Sequence, residues 1–277
     1  MRNVHFRVDE AVVLEIRSLS GSLISTHPGE TPVFDDKASF YLKIRSAEIA
    51  MNSASLANLM NRYVFADPDS PLKKISINIE GDQIRQKAKL GRVGVPIEMT
   101  GKLDVTPEGR IRLHPTAIKL MHMPVRGLMS LFKLKLGKLI DLKKARGVET
   151  SGNDIVMDPG RMLPPPRIEG RISTVRMEPD RLVQFFGEDR PSTGRGASNF
   201  MHYRGGTLRF GKLTMHDADL KIVDQAPKDP FDFFLDHYKD QLVAGYSKTT
   251  PSLGLEVFMP DFAALRPARV AGAGSEK

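Results

Sequence analysis

Runs of alternating apolar and polar residues, broken at short intervals by turn signals, occupy most of this chain of 277 residues. That pattern restricts it to strands, because only a pleated strand places every second side chain on one face. Ile75, Ile77 and Ile79 alternate with polar residues up to a turn at Gly81-Asp82. Ile84, Ala88 and Leu90 then return opposite Arg85, Lys87 and Lys89. This predicts a half-exposed hairpin. Ile97, Met99, Leu103 and Val105 lead into Pro107-Glu108-Gly109, and Ile111 and Leu113 come back from it. Further breaks fall at Gly152-Asn153, Pro179-Asp180 and Gly205-Gly206. Val4–Val8, Val12–Leu19 and Ser39–Ile49 fit the same scheme, so the expectation is an antiparallel meander.

Three helices are expected to interrupt it. The first runs from about Ser53 to Val64, capped by Asn52 or Ser53, with Leu56, Leu59, Met60 and Tyr63 on one stripe. The second runs from about Pro124 to Lys144. The third opens at Asp229-Pro230, follows Phe231, Phe234, Leu235, Tyr238 and Leu242, and ends at Gly245. Residues 162–167 (Met-Leu-Pro-Pro-Pro-Arg) read as a short polyproline-like connector. The fold class expected is therefore α+β. Residues 1–265 form a single elongated domain, and residues 266–277 a disordered tail.

The charge is concentrated. Lys and Arg number 41 against 33 Asp and Glu, a net charge of +8. Lys119, Arg126, Lys133, Lys135, Lys138, Lys143, Lys144 and Arg146 face only Asp141 within their stretch, so seven of those eight charges lie there. The same stretch carries Val125, Leu128, Met129, Phe132, Leu136, Leu139 and Ile140 on one side, about half of a helix circumference at ~100° per residue. A basic amphipathic helix suits an anionic membrane surface or a partner helix, and equally a sheet-covering helix whose lysines are simply solvated. Only Phe132 is aromatic in it, and no nucleic-acid-binding signature accompanies it, so a nucleic-acid partner is not expected.

Signals for chemistry are poor. Zero Cys excludes a disulfide framework, zinc ribbons, iron–sulfur clusters and thiol catalysis. There is no G-x-S-x-G, P-loop, H-E-x-x-H or dinucleotide fingerprint. His216-Asp217-Ala218-Asp219 reads as a solvated strand face, and Asn153-Asp154 as turn chemistry. The chain is therefore expected to be no enzyme, with no catalytic residue, metal or cofactor. The longest run without charge, Ile49 to Asn61, has 13 residues, short of the ~20 of a spanning helix. The N-terminus shows no apolar signal segment. Thirteen Met are present, and Met51, Met60, Met121, Met123 and Met129 gather at the first two helices, where flexible thioethers suit an acyl ligand.

Several segments together resemble a known family: the early helix 53–60 (Ser-Ala-Ser-Leu-Ala-Asn-Leu-Met), 101–109 (Gly-Lys-Leu-Asp-Val-Thr-Pro-Glu-Gly) and the Leu-rich helix. To these are added 152–159 (Gly-Asn-Asp-Ile-Val-Met-Asp-Pro) and 163–170 (Leu-Pro-Pro-Pro-Arg-Ile-Glu-Gly). Over roughly Phe40 to Gly187 the pattern resembles the bacterial LmeA-type lipid-binding proteins, within the tubular lipid-binding (TULIP-like) group. Residues 199–262 form a strand–helix–strand extension outside the resemblance. The resemblance implies a long, strongly twisted antiparallel sheet wrapped around a few amphipathic helices. It implies a phospholipid or other acyl-chain lipid in an apolar groove, and a place in the periplasm or cell envelope if a signal peptide precedes this sequence, otherwise the cytoplasm. The groove is expected to be lined by Leu56, Leu59, Met60, Tyr63, Leu128, Met129, Phe132 and Leu136. Arg126, Lys133, Lys138 and Lys144 are expected to meet headgroups at an anionic membrane surface. The alternative is a ligand-free envelope scaffold or interaction protein. Oligomeric state is left open.

Overall fold

The computed structural model describes residues 1–91, 94–120, 140–187 and 199–265. These residues are mostly β, 54% strand against 13% helix, which agrees with the α+β expectation. Strands β1 (Arg2–Arg7), β2 (Val13–Ser25) and β3 (Phe40–Asn52) open one sheet as antiparallel neighbours. The chain then builds a second sheet from β4 (Leu72–Glu80), β5 (Gln83–Leu90), β6 (Val95–Val105), β7 (Ile111–Leu120), β8 (Val148–Ser151) and β9 (Asp154–Met157), with β9 lying between β7 and β8. It returns to β3 through β10 (Arg167–Glu169), β11 (Ile172–Glu178) and β12 (Arg181–Phe186). The hairpins at Gly81-Asp82, Pro107–Gly109, Gly152-Asn153 and Pro179-Asp180 all stand where the turn residues predict them.

The remaining strands are β13 (Phe200–Arg204), a small hairpin β14 (Leu208–Phe210) with β15 (Leu213–Met215), β16 (Asp219–Asp224), β17 (Phe231–Phe234), β18 (Tyr246–Thr249) and β19 (Leu255–Met259). Apart from the hairpin they extend the first sheet, in which β13 and β17 both flank β1. That sheet is mixed rather than purely antiparallel: β10 with β3, β17 with β1 and β16 with β19 run parallel.

Helix α1 (Ser53–Leu59) continues through one π turn at Met60–Val64. Asn52, in extended conformation, accepts from the Ser55 backbone N–H at 2.8 Å and caps it. The helix is tied to both sheets. Ser55 Oγ accepts from the Val13 N–H and Asn58 donates to the Ala11 carbonyl on one side, while Asn61 exchanges hydrogen bonds with both backbone groups of Ile75 on the other. The other helices are short: α2 (Pro159–Met162), capped by Asp158, then α3 (Tyr238–Ala244) and α4 (Phe262–Leu265).

Two helix expectations need correction. Phe231–Phe234, taken for the start of the third helix, is strand β17; all four residues are buried and pair with Val4–Arg7. Phe231 and Phe234 have helical spacing, but Asp232 between them is buried too, held by Arg7 at 2.5 Å. A strand covered on both faces loses its alternation and mimics a helix stripe. Helical geometry begins only at Leu235 and ends, as expected, at Gly245. Of the second helix expected over Pro124–Lys144, residues 124–139 lie outside the described residues, and 140–144 are not helical: Asp141 accepts from the Lys143 N–H in a turn there. The connector 162–167 is preceded by α2, where Asp158-Pro159 supplies a cap and a Pro at the first helical position.

Candidate functional site

The two sheets and α1 share one apolar core, with a narrow seam running through it. From the first sheet Leu14, Ile49, Met51, Leu182 and Phe186 point into it; from the second, Ile77, Ile84, Leu103, Ile111 and Met157. Leu56, Leu59 and Met60 of α1 close one side. Met162, Leu163 and Ile168, from α2 to β10, close another. The open volume is about 40 Å³, and an adjoining void of about 20 Å³ shares Leu14, Ile49, Leu163 and Ile168 with it. Four of the residues that line it are Met, whose unbranched side chains repack readily.

No Lys, Arg, Asp or Glu lines the seam among the described residues. Its polar side chains are two amides, Gln86 and Gln184. The alternation that turns Leu182 and Phe186 inward turns Gln184 inward with them, and Gln86 follows Ile84 in the same way. Gln184 is only 5% exposed. Neither amide has a side-chain hydrogen bond to any described residue. Gln86 is only half-buried, so it is Gln184, an amide held among aliphatic side chains at the edge of the void, that stands out from the rest of the core.

Of the groove residues read from the sequence, Leu56, Leu59 and Met60 line the seam. Tyr63 faces elsewhere: its hydroxyl donates to Asp9 at 2.6 Å, and burial followed by that bond pushes its pKa up to about 12. Leu128, Met129, Phe132 and Leu136, with Arg126, Lys133 and Lys138, lie outside the described residues. Lys144 is half-exposed and pairs with Asp69 at 2.9 Å and Asp67 at 3.8 Å. Met157, Met162, Ile168, Leu182 and Phe186 were not singled out from the sequence as groove residues. Four of them lie on strands and Met162 on α2, and nothing local says which face meets which sheet.

A titratable cluster built around a histidine lies apart from the seam. His114 of β7 sits between Asp104, 2.9 Å from Nε2, and Asp154, 2.8 Å from Nδ1, while Arg112 makes a two-pronged pair with Asp104 at 2.8 and 2.9 Å. The Arg112 guanidinium, opposed in part by desolvation and aided by His114, holds the Asp104 carboxyl down at about 2. The hydrogen bond to Asp104 raises the His114 pKa above its ordinary value, with Asp154 adding to it. Asp154, assigned to turn chemistry in the sequence, is also the first residue of β9 and holds this imidazole. No group of three or more His, Cys, Asp or Glu side chains among the described residues is placed to hold a metal ion. No described helix is long and apolar enough to cross a membrane. Comparison of the chain with family models, curated proteins and solved structures finds no match.

Proposed function

We propose that this protein binds an acyl-chain lipid, a phospholipid or a similar molecule, along the seam between its two sheets, and carries it without chemical change. The observation that carries this reading is the seam itself: a void between the two sheets, with a smaller one adjoining it on the side of the first sheet, walled by aliphatic, Met and Phe side chains and, among the described residues, with no charged side chain and two amides on its lining. Buried acyl methylenes contribute about 0.8 kcal/mol each, so part of one chain is enough to offset a modest rearrangement. At about 40 Å³ the seam must widen to accept a chain. Helix α1 is the element we propose to move, because it closes one side of the seam with Leu56, Leu59 and Met60 and is held to the strand ladders by a few hydrogen bonds, among them those of Ser55, Asn58 and Asn61. The resemblance to the LmeA-type proteins supports the same reading, including a strongly twisted sheet around the helices and a place in the bacterial envelope.

One observation favours a second reading, a ligand-free scaffold or interaction protein. Ligand pockets usually enclose ~300–1,000 Å³, far more than this seam. Mass spectrometry of organic extracts from the purified protein separates the two. A co-purified lipid, or uptake of phosphatidylglycerol from vesicles, is the expected result. A protein that yields no lipid and takes up none is a scaffold.

A further inference from the structure

We propose that Gln184 and Gln86 are the polar anchor of the seam, and that they hold the uncharged carbonyl of an ester in an acyl ligand. This rests on the reading of the seam as a lipid site. Gln184 occupies the inward position between Leu182 and Phe186 on β12, in register with Ile49 of β3 and Val175 of β11. Gln86 occupies the inward position after Ile84 on β5, in register with Ile77 of β4 and Met99 of β6. One amide therefore comes from each sheet, each surrounded by aliphatic neighbours. Gln184 stands at a core position, where an amide is destabilising unless something accepts its N–H groups, and Gln86 at a half-buried position beside the same void. Nothing among the described residues does. In both cases the side chain borders the void.

The lining also limits what can sit there. A buried carboxylate or phosphate needs a cation or several donors, and the seam offers no Lys or Arg. An ester carbonyl needs only one or two donors, which an amide NH2 supplies, and its chain continues among Leu56, Met60 and Met157. A charged headgroup stays at the rim. There an open cleft of about 470 Å³ that shares Ile168 with the seam is lined by Arg146, Arg161 and Arg167 together with Asp158 and Glu169.

The test compares methyl palmitate with hexadecane as competitors for a fluorescent acyl probe, using wild type, Gln184→Met and the double variant Gln86→Leu/Gln184→Leu. Removing an unpartnered buried amide should leave the melting temperature unchanged or higher. The readout is the ester-to-hydrocarbon affinity ratio of wild type divided by that of each variant. This cancels the different solubilities of the two probes. The expected value is roughly fivefold to tenfold for the double variant and smaller for Gln184→Met. A value near one with both probes still binding overturns the amide anchor and leaves the lipid reading standing; the amides then serve the fold or a buried water. If neither probe competes with wild type, the lipid reading itself fails, and the anchor with it.

Discussion

At the scale of single residues, the clearest physical consequence of the structure is a pH dependence at His114. Both ring nitrogens face carboxylates, an arrangement that favours the imidazolium and raises the His114 pKa above the ordinary 6.5. The stabilisation it provides is complete below about that value and is lost as pH rises through the raised one. Asp104 works in the opposite sense. Lowered from 3.8 to about 2, it contributes above its ordinary value and loses that contribution as pH falls toward 2. The cluster is partly exposed, so its worth is that of a surface pair, under about 1 kcal/mol. His114→Gln should therefore lower the melting temperature slightly at pH 5.5 and have no effect at pH 9. Proton NMR should show the His114 titration midpoint above 6.5 in wild type and lower in Asp104→Asn. A midpoint at or below the ordinary value in wild type would contradict the geometry.

At the scale of elements, the basic stretch 119–146 remains the part of the chain most suited to an anionic surface, since it holds seven of the eight net charges. Each Lys or Arg near such a surface is worth about 1 kcal/mol. Lys144 is engaged by Asp69 and Asp67, so Arg126, Lys133 and Lys138 are expected to carry most of the effect. Replacing these three with Gln should weaken binding to phosphatidylglycerol vesicles by about a hundredfold, and Lys144→Gln alone by much less. High salt should weaken the wild type in the same way, because exposed charges are screened over ~8 Å at physiological ionic strength. Co-sedimentation measures all of this. Equal binding to neutral and anionic vesicles would show that the lysines are only a solvated face.

At the scale of the whole molecule, the segment 199–265 is built into the first sheet rather than appended to it. Strand β17 runs beside β1, and Phe231 and Phe233 are fully buried, with the Phe233 ring 5.9 Å from that of Phe6. Each such side chain, once buried, contributes about 1.5–3 kcal/mol. Cutting the chain after Gly187 exposes one edge of β1 together with that aromatic contact. The fragment 1–187 should be insoluble or unfold without a cooperative transition, despite containing all of the region that resembles the lipid-binding family. A soluble fragment with a sharp melting transition would show that the first sheet stands without its partner strands.

What the amino-acid sequence determined by itself is whatever depends on neighbours a few residues away. The strand alternation, the turns at Gly81-Asp82 and Pro107–Gly109, the Asn52 cap of α1 and the C-terminal Gly245 of α3 are all local, and all stand where they were expected. So are Leu56, Leu59 and Met60, which share a face because helical spacing puts them there. What only tertiary structure decided is pairing at long range. The parallel pairs of β10 with β3, β17 with β1 and β16 with β19 join segments far apart in the chain, and no local signal specifies them. The seam is of the same kind. Alternation says that Gln86 and Gln184 each face inward, but that both amides border one void follows only when two sheets, closed by one helix, meet across it.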